Sequence, residues 1–136
     1  TGGWSEGYNS APGSAEVIKT DTYLELKANY VQELSVATNE PIDLSFIDAL
    51  YVDWHGGKTT GTDIGRAAII ISKNRDGDIS DNLPVNTTIK LGAKGDFDEV
   101  SVVDVRGLSG LYYIRIHSLR ADNPTVKIFS VWGESK

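Results

Sequence analysis

Cysteine and methionine are both absent from this chain of 136 residues, and proline occurs only four times. Without cysteine, neither disulfide bonds nor thiolate ligands can stabilise the fold or take part in its chemistry. No segment approaches the roughly 20 apolar residues of a membrane-spanning helix, and no signal-peptide pattern is present. The sequence starts at Thr1 and contains no Met, so we expect a domain taken from a longer protein.

Positive charge is also scarce, with 13 Lys and Arg against 19 Asp and Glu and a formal net charge of −6. The basic residues are scattered singly, whereas proteins that neutralise phosphates carry a basic stripe or patch. We therefore expect no nucleic-acid partner. The lack of a long apolar segment likewise predicts no membrane partner.

Catalytic motifs are missing as well. The chain has two histidines, His55 and His117, and no nucleophile elbow, zinc-type HExxH or phosphate-cradling glycine loop. Paired carboxylates could support glycoside hydrolysis, but nothing singles out two of the 19 acids. The sequence predicts a protein that is not an enzyme and that needs no organic cofactor.

What the sequence does contain is a hydrophobic period of two, which is typical of β-strands. Turn signals built on glycine, proline, asparagine and aspartate separate the apolar segments. We predict strands over residues 23–28, 32–38, 50–55, 67–71, 87–91, 100–105, 111–117 and 126–132. Residues 67–71 (AAIII) are an unbroken apolar run rich in β-branched side chains, as expected for a strand buried on both faces.

About eight short strands at roughly ten-residue spacing predict an all-β fold, a single antiparallel β-sandwich of jelly-roll type. We expect one domain over residues 1–136. At most, residues 43–48 or 80–83 form a single helical turn. The glycine-rich residues 1–15 are either an ordered edge segment or a tether, and Trp4 and Tyr8 favour the ordered segment.

Four segments carry a resemblance to a known group of proteins: TGGW (1–4), PIDLSFIDALYVDW (41–54), LSGLYYIRIHS (108–118) and KIFSVWGES (127–135). In this order they resemble a β-sandwich module of tail, fibre and other host-contact proteins of phages and prophages of Gram-positive bacilli, often placed at the C-terminus. The resemblance covers nearly the whole chain. Its motifs are strand cores and turns, so it transfers no functional residues.

The resemblance implies a non-catalytic host-surface recognition module in the virion, and hence extracellular, which binds a surface polysaccharide or another cell-wall polymer. It also implies other virion proteins as partners, and homotrimers of the kind that fibres form. Two alternatives stay open. One is a structural decoration, assembly or oligomerisation module of the virion, and the other is an accessory carbohydrate-binding domain of a wall-degrading enzyme.

Strand alternation predicts a candidate ligand-binding face, because side chains two residues apart point the same way. Two strands carry the same Tyr-x-charge-x-His pattern opposite their apolar residues: Tyr51, Asp53 and His55, and Tyr113, Arg115 and His117. If the two strands lie in one sheet, Asp53 pairs with Arg115 between tyrosines and imidazoles. Aromatic rings and planar hydrogen-bonding groups suit a sugar. The alternative is a solvated face whose charges keep the protein in solution.

The three tryptophans have different expected roles. Trp54 shares its strand side with apolar residues and is predicted to lie in the core. Trp4 and Trp132 lie near opposite ends of the chain and pack together if the termini meet. Trp4 and Tyr8 are an alternative binding platform, or a contact to a neighbouring domain or subunit.

Residues 72–82 (SKNRDGDISDN) are the candidate metal site. Aligning Gly77 with the glycine of an EF-hand loop leaves Ser72 and Leu83 at the first and twelfth ligand positions, so that register fails at both ends. A different calcium geometry could use Asp76, Asp78 and Asp81. The alternative is a plain turn, since Asp-Gly is a preferred hairpin sequence. A second acidic stretch, containing Asp96, Asp98 and Glu99, is predicted to be a solvated loop that leads into the strand at Val100.

Overall fold

The computed structural model describes residues 3–28, 32–56, 66–78, 97–119 and 125–135. Within these ranges the chain forms ten strands: β1 (Trp4–Asn9), β2 (Glu16–Lys19), β3 (Leu24–Lys27), β4 (Glu33–Thr38), β5 (Ile42–Asp43), β6 (Ile47–Gly56), β7 (Arg66–Ser72), β8 (Phe97–Asp104), β9 (Leu111–Leu119) and β10 (Thr125–Ser135). No helix in the described ranges has the length and apolar character to cross a membrane.

The strands form two antiparallel sheets. Sheet I contains β1, β4, β5, β7 and β9, and β9 pairs with both β4 and β7 through the same residues, so it lies between them. Sheet II has the order β2-β3-β10-β6-β8. The predicted all-β antiparallel sandwich is confirmed, with ten strands among the described residues instead of about eight.

The core fills the space between the sheets, and strand alternation decides which side chains enter it. β6 contributes Leu50, Val52 and Trp54, and β9 contributes Ile114 and Ile116. Trp54 is fully buried, as predicted, and its indole N–H donates to Ser101 Oγ at 2.8 Å. This hydrogen bond satisfies the indole N–H, a polar group that is costly to bury without a partner.

The predicted strand at 67–71 is β7, and it is buried on both faces. Residues 42–47 contain the two-residue strand β5 and a turn closed by Ile47 N–H donating to Leu44 O, where a helical turn was one prediction. Within residues 1–15, β1 pairs with β4, so this part of the segment is ordered. The predicted strand at 87–91 and the predicted turn at 80–83 lie outside the described residues.

Candidate functional site

The outer face of sheet I is covered. Outward-facing side chains on β4, β7 and β9 are buried: Glu33, Ser35 and Ala37 on β4, Ala68, Ile70 and Ser72 on β7, and Arg115 and His117 on β9. Residues 74–78 contact this face through the hydrogen bonds given below. A ligand therefore has little access to the middle of sheet I.

Arg115 is the centre of that covered face, with no exposed surface. Its guanidinium donates to three backbone carbonyls: Asn74 O at 3.0 Å, Gly77 O at 2.8 Å and Asp78 O at 2.6 Å. The loop that was the candidate calcium site thus directs backbone carbonyl oxygens at the guanidinium of Arg115. Carbonyls that accept from a charged donor make stronger hydrogen bonds than those between neutral groups.

His117 extends the same buried network. Arg115 Nε donates to His117 Nε2 at 3.1 Å, so this nitrogen is the acceptor, and Nδ1 lies 3.0 Å from Glu33 Oε2, to which it donates. Burial lowers the pKa of His117, the hydrogen bond to Glu33 opposes that shift, and the charge of Arg115 adds to it. A second proton on Nε2 would face the N–H of Arg115, so the geometry favours the neutral ring.

Arg75 fixes the other side of the loop to sheet I. Its guanidinium donates to Thr38 O at 3.1 Å, to Glu6 O at 3.2 Å and to Ser5 O at 3.2 Å. β1 has a register shift between Glu6 and Asn9. A Cβ on Gly7 of β1 would lie 2.7 Å from Ser35 Oγ on β4 and 3.3 Å from Arg75 O of the loop, so Gly7 is closely packed by both.

These contacts correct the predicted ligand-binding face. The strand of Asp53 lies in sheet II and that of Arg115 in sheet I, so the structure does not bring the two side chains together and the predicted pair is wrong. Arg115 and His117 are internal to the protein, so the structure gives them a structural role in place of ligand contact. Tyr113 is half-buried on the same side of β9.

The predicted calcium ligands have other partners where the structure describes them. Asp76 forms an ion pair with Arg75. The backbone carbonyl of Asp78 accepts from Arg115. Asp81 lies outside the described residues. A calcium role for these three aspartates stays a prediction.

The outer face of sheet II, by contrast, carries exposed aromatic side chains. Tyr51 on β6 is opposite Trp132 on β10, and their rings stack with centroids 5.4 Å apart and planes 9° apart. Trp132 is 44% exposed. The pair therefore offers a flat apolar surface to solvent.

A second aromatic group lies farther along the same face. The ring centroid of Phe129 is 4.6 Å from that of His55 and 5.7 Å from that of Tyr23, and Lys127 Nζ lies 5.0 Å from the centre of the Tyr23 ring. Tyr51 and His55 are four positions apart on β6, a distance of about 13 Å along a strand. We call the two groups together the aromatic face; its rings belong to Tyr23, Tyr51, His55, Phe129 and Trp132.

Polar groups lie between and beside these rings. Asp53 lies between Tyr51 and His55 on the same side of β6, and His55 Nε2 is 2.7 Å from Asp98 Oδ1 on β8. Tyr51 donates its hydroxyl to Glu134 Oε2 at 3.0 Å, and this hydrogen bond raises the pKa of Tyr51. Asp98 lies within β8, not in the solvated loop that the sequence predicted.

Half of the predicted site therefore belongs to one surface. Tyr51, Asp53 and His55 share the outer side of β6 as the alternation predicted, opposite Leu50, Val52 and Trp54. The sequence prediction missed three ring-bearing residues of this surface, which are Tyr23, Phe129 and Trp132. The sequence did indicate the orientation of Tyr23, because Tyr23 and Glu25 alternate with the inward-facing Leu24 and Leu26.

Phe129 and Trp132 have opposite strand parity in the sequence, yet both lie on the outer face. β10 explains this, because its pairing with β6 shifts between Ile128 and Ser130, which leaves Phe129 as the extra residue of a β-bulge. Before the bulge the even-numbered residues of β10, such as Ile128, face the core, and after it the odd-numbered residues, such as Val131, do so. Alternation alone could not place both rings together.

Trp4 on β1 and Trp132 on β10 lie at the same end of the sandwich, and the predicted packing of their rings stays a prediction. Both border a cleft of about 200 Å³ between the two sheets, with Ile47, Leu50 and Ile114 among its other lining residues. The alternative platform of Trp4 and Tyr8 stays a prediction.

No family model matches the sequence, and no curated protein matches it. Solved structures do resemble it. TmCBM61, solved in complex with β-1,4-galactotriose, has a TM-score of 0.63 at 8% identity, with 98% of this chain and 88% of that chain covered. The low-affinity xylan-binding module CBM86 of Roseburia intestinalis has a TM-score of 0.56 at 13% identity, with 98% and 90% covered.

A phage protein has a similar fold as well. The enzymatically active domain of bacteriophage CBA120 tailspike protein 4 has a TM-score of 0.53 at 12% identity, over 98% of this chain but 20% of that chain. At these identities the likeness establishes the fold alone. The chain is thus a β-sandwich of the architecture found in carbohydrate-binding modules.

Proposed function

We propose that the aromatic face of sheet II binds a polysaccharide and that the chain performs no catalysis of its own. The observation that carries this proposal is the exposed, stacked pair of Tyr51 and Trp132 in line with the second aromatic group on one flat sheet. Pyranose rings present apolar C–H faces to aromatic rings, and their hydroxyls meet carboxylates and imidazoles. The fold shared with carbohydrate-binding modules supports the proposal.

The two aromatic groups are too far apart to contact a single sugar ring. A span of about 13 Å along β6 suits a short run of sugar units that lies parallel to the strands. Asp53 and Asp98 lie beside this path, so the ligand is a neutral or amino-bearing chain, since a polymer of acidic sugars would meet like charges. Binding at one exposed face is weak, and display in several copies raises the avidity through effective concentration.

The biological setting is part of the same proposal. We propose a host-surface recognition module of a phage tail or fibre protein, extracellular in the virion, with cell-wall or surface polysaccharide of Gram-positive bacilli as ligand and other virion proteins as partners. Support comes from the four segments that resemble such modules and from the likeness to a phage tailspike domain. An accessory module of a wall-degrading enzyme would use the same face.

Affinity electrophoresis against neutral polysaccharides and pull-down on purified cell walls test the binding. We expect the wild type to be retarded by at least one polymer. Tyr51→Ala and Trp132→Ala should weaken binding by about ten-fold or more, because each removes half of the stacked pair. Phe46→Ala is the matched control, since Phe46 is 74% exposed and lies in the turn before β6, away from the stacked pair. Equal binding by all three variants would contradict the proposal.

A second candidate function is assembly, and it is favoured by β8, which lies at the edge of sheet II among the described strands. Val100 and Val102 are both about half exposed on the outer face, next to the aromatic residues. Exposed apolar side chains on an edge strand suit contact with another protein, including a homotrimer of this chain. A stable oligomer in light scattering that Val102→Asp dissociates, together with no retention on any polymer, would favour assembly over polysaccharide binding.

A further inference from the structure

Three potential metal ligands converge on the outer face of sheet II. Asp53 and His55 are two residues apart on β6 and point the same way, and Asp98 pairs directly with His55 across β6 and β8. One donor atom of each side chain lies within 4.8 Å of the other two. The three groups therefore form one cluster on adjacent, hydrogen-bonded strands.

We propose that Asp53, His55 and Asp98 bind a divalent first-row transition ion, with Zn²⁺ as the reference ion. An imidazole nitrogen with two carboxylates is a ligand set suited to zinc and its neighbours, whereas calcium and magnesium prefer sites made of oxygen alone. Tetrahedral ligand bonds of about 2.0–2.2 Å put neighbouring donor atoms about 3.3–3.6 Å apart. The observed 2.7 Å between His55 Nε2 and Asp98 Oδ1 has to widen by less than about 1 Å, which rotation of the exposed Asp98 side chain can supply.

Preorganisation and access both favour the site. The backbones of β6 and β8 are paired through this region, so the three Cα positions are fixed before an ion binds. The ring of Phe129 packs against the imidazole of His55 and restricts its orientation. The side chains of His55 and Asp98 are 41% and 74% exposed, so an ion can enter and keeps open positions for water or an external ligand.

The cluster differs from the acidic loop at Asp76 in one decisive respect. The described loop carbonyls and Asp76 already hold arginine side chains, Arg115 and Arg75. The contact between the side chains of His55 and Asp98 is solvent-exposed, and exposed polar contacts contribute little to stability, so an ion that replaces it gives up little. The metal site lies within the aromatic face, because His55 belongs to both, but metal binding does not depend on polysaccharide binding.

Isothermal titration of tag-free, chelator-treated protein with ZnCl₂ tests the proposal. We expect one equivalent to bind the wild type, and His55→Ala and Asp98→Asn to lower the affinity by at least about ten-fold. Asp104→Asn is the matched control, because Asp104 is an exposed carboxylate on the same face of β8 and pairs with Arg106. This variant should bind zinc as the wild type does.

A second readout separates the site from non-specific binding. Addition of Zn²⁺ to the ¹⁵N-labelled wild-type protein should shift the imidazole resonances of His55 and leave those of the buried His117 in place. No heat with the wild type would overturn the proposal. Equal affinity in His55→Ala, or loss of binding in Asp104→Asn to the same degree as in Asp98→Asn, would overturn it as well.

Discussion

At the scale of single residues, the most constrained groups are Arg115 and His117. A buried guanidinium needs acceptors on every side, since an unpaired charge in the interior is strongly destabilising. Here the carbonyls of the loop and the imidazole nitrogen supply them. Arg115, oriented by His117, therefore holds the loop on sheet I through buried hydrogen bonds.

Arg115→Met is expected to destabilise the protein by about 3 kcal/mol or more, because it leaves buried carbonyls without donors. Urea unfolding followed by circular dichroism measures this change. Arg106→Met is the control, since Arg106 is exposed and its guanidinium pairs with the neighbouring surface carboxylate of Asp104. The role given to Arg115 would be wrong if the two variants unfolded at the same urea concentration.

His117 predicts a pH dependence of stability. Its pKa is lowered in the folded protein by burial, below the ordinary value of 6.5, so the unfolded chain takes up the proton first as pH falls. Stability is therefore full above about pH 6.5 and decreases as the pH is lowered from there towards the folded-state pKa. Unfolding free energies measured between pH 7.5 and 5.5 should show this slope.

The slope should disappear in His117→Gln, even though that variant is less stable at neutral pH. His55→Gln controls for the other imidazole and should retain the decline. A wild-type stability that does not change over this interval would show that His117 is not held neutral by its surroundings.

Residue patterns predicted part of this arrangement. The alternation along β6 and β9 placed Tyr51, Asp53, His55, Arg115 and His117 on the outer sides of their strands, which the structure confirms. Alternation gives the side of a strand and carries no information on what covers that side. The covering of sheet I depends on contacts between residues 37 or more positions apart in sequence, such as Arg115 with Asp78.

At the scale of elements, two irregularities determine the two outer faces. The bulge at Phe129 in β10 brings a fourth and a fifth ring to the aromatic face, and the loop at 74–78 contacts β1 beside its register shift. Each irregularity changes pairing by a residue or more, which reverses or displaces all later side chains. Regular periodicity in the sequence predicts strands and does not reveal such shifts.

Gly7 in β1 is required by the close approach of Ser35 on β4 and of the carbonyl of Arg75 in the loop. We expect Gly7→Ala to destabilise the protein by about 1–3 kcal/mol, because the added methyl would lie 2.7 Å from Ser35 Oγ and 3.3 Å from a backbone oxygen. Thermal unfolding compares it with Gly107→Ala, where the added atom meets nothing within 4 Å. Similar melting temperatures for both variants would contradict the close packing of Gly7 against Ser35 and the loop.

At the scale of the whole molecule, the sandwich has one covered outer face and one that bears exposed rings. The all-β class and the core position of Trp54 followed from the sequence, because hydrophobic period and turn residues reflect burial directly. The sequence did not predict which outer face is covered and which is exposed, because that requires knowing that β6 and β9 lie in different sheets. Residues with the same local pattern therefore have opposite roles: Tyr51 and His55 are accessible, and Arg115 and His117 are interior.

The most direct test of polysaccharide binding at sheet II is an NMR titration that follows the three tryptophan indole N–H resonances with an oligosaccharide from a polymer the protein retains. We expect the Trp132 signal to shift, together with backbone amides of β6 and β10. The Trp54 signal should stay in place, because its N–H is buried and bonded to Ser101. Shifts confined to sheet I, or an unchanged Trp132 signal under saturating ligand, would contradict the account.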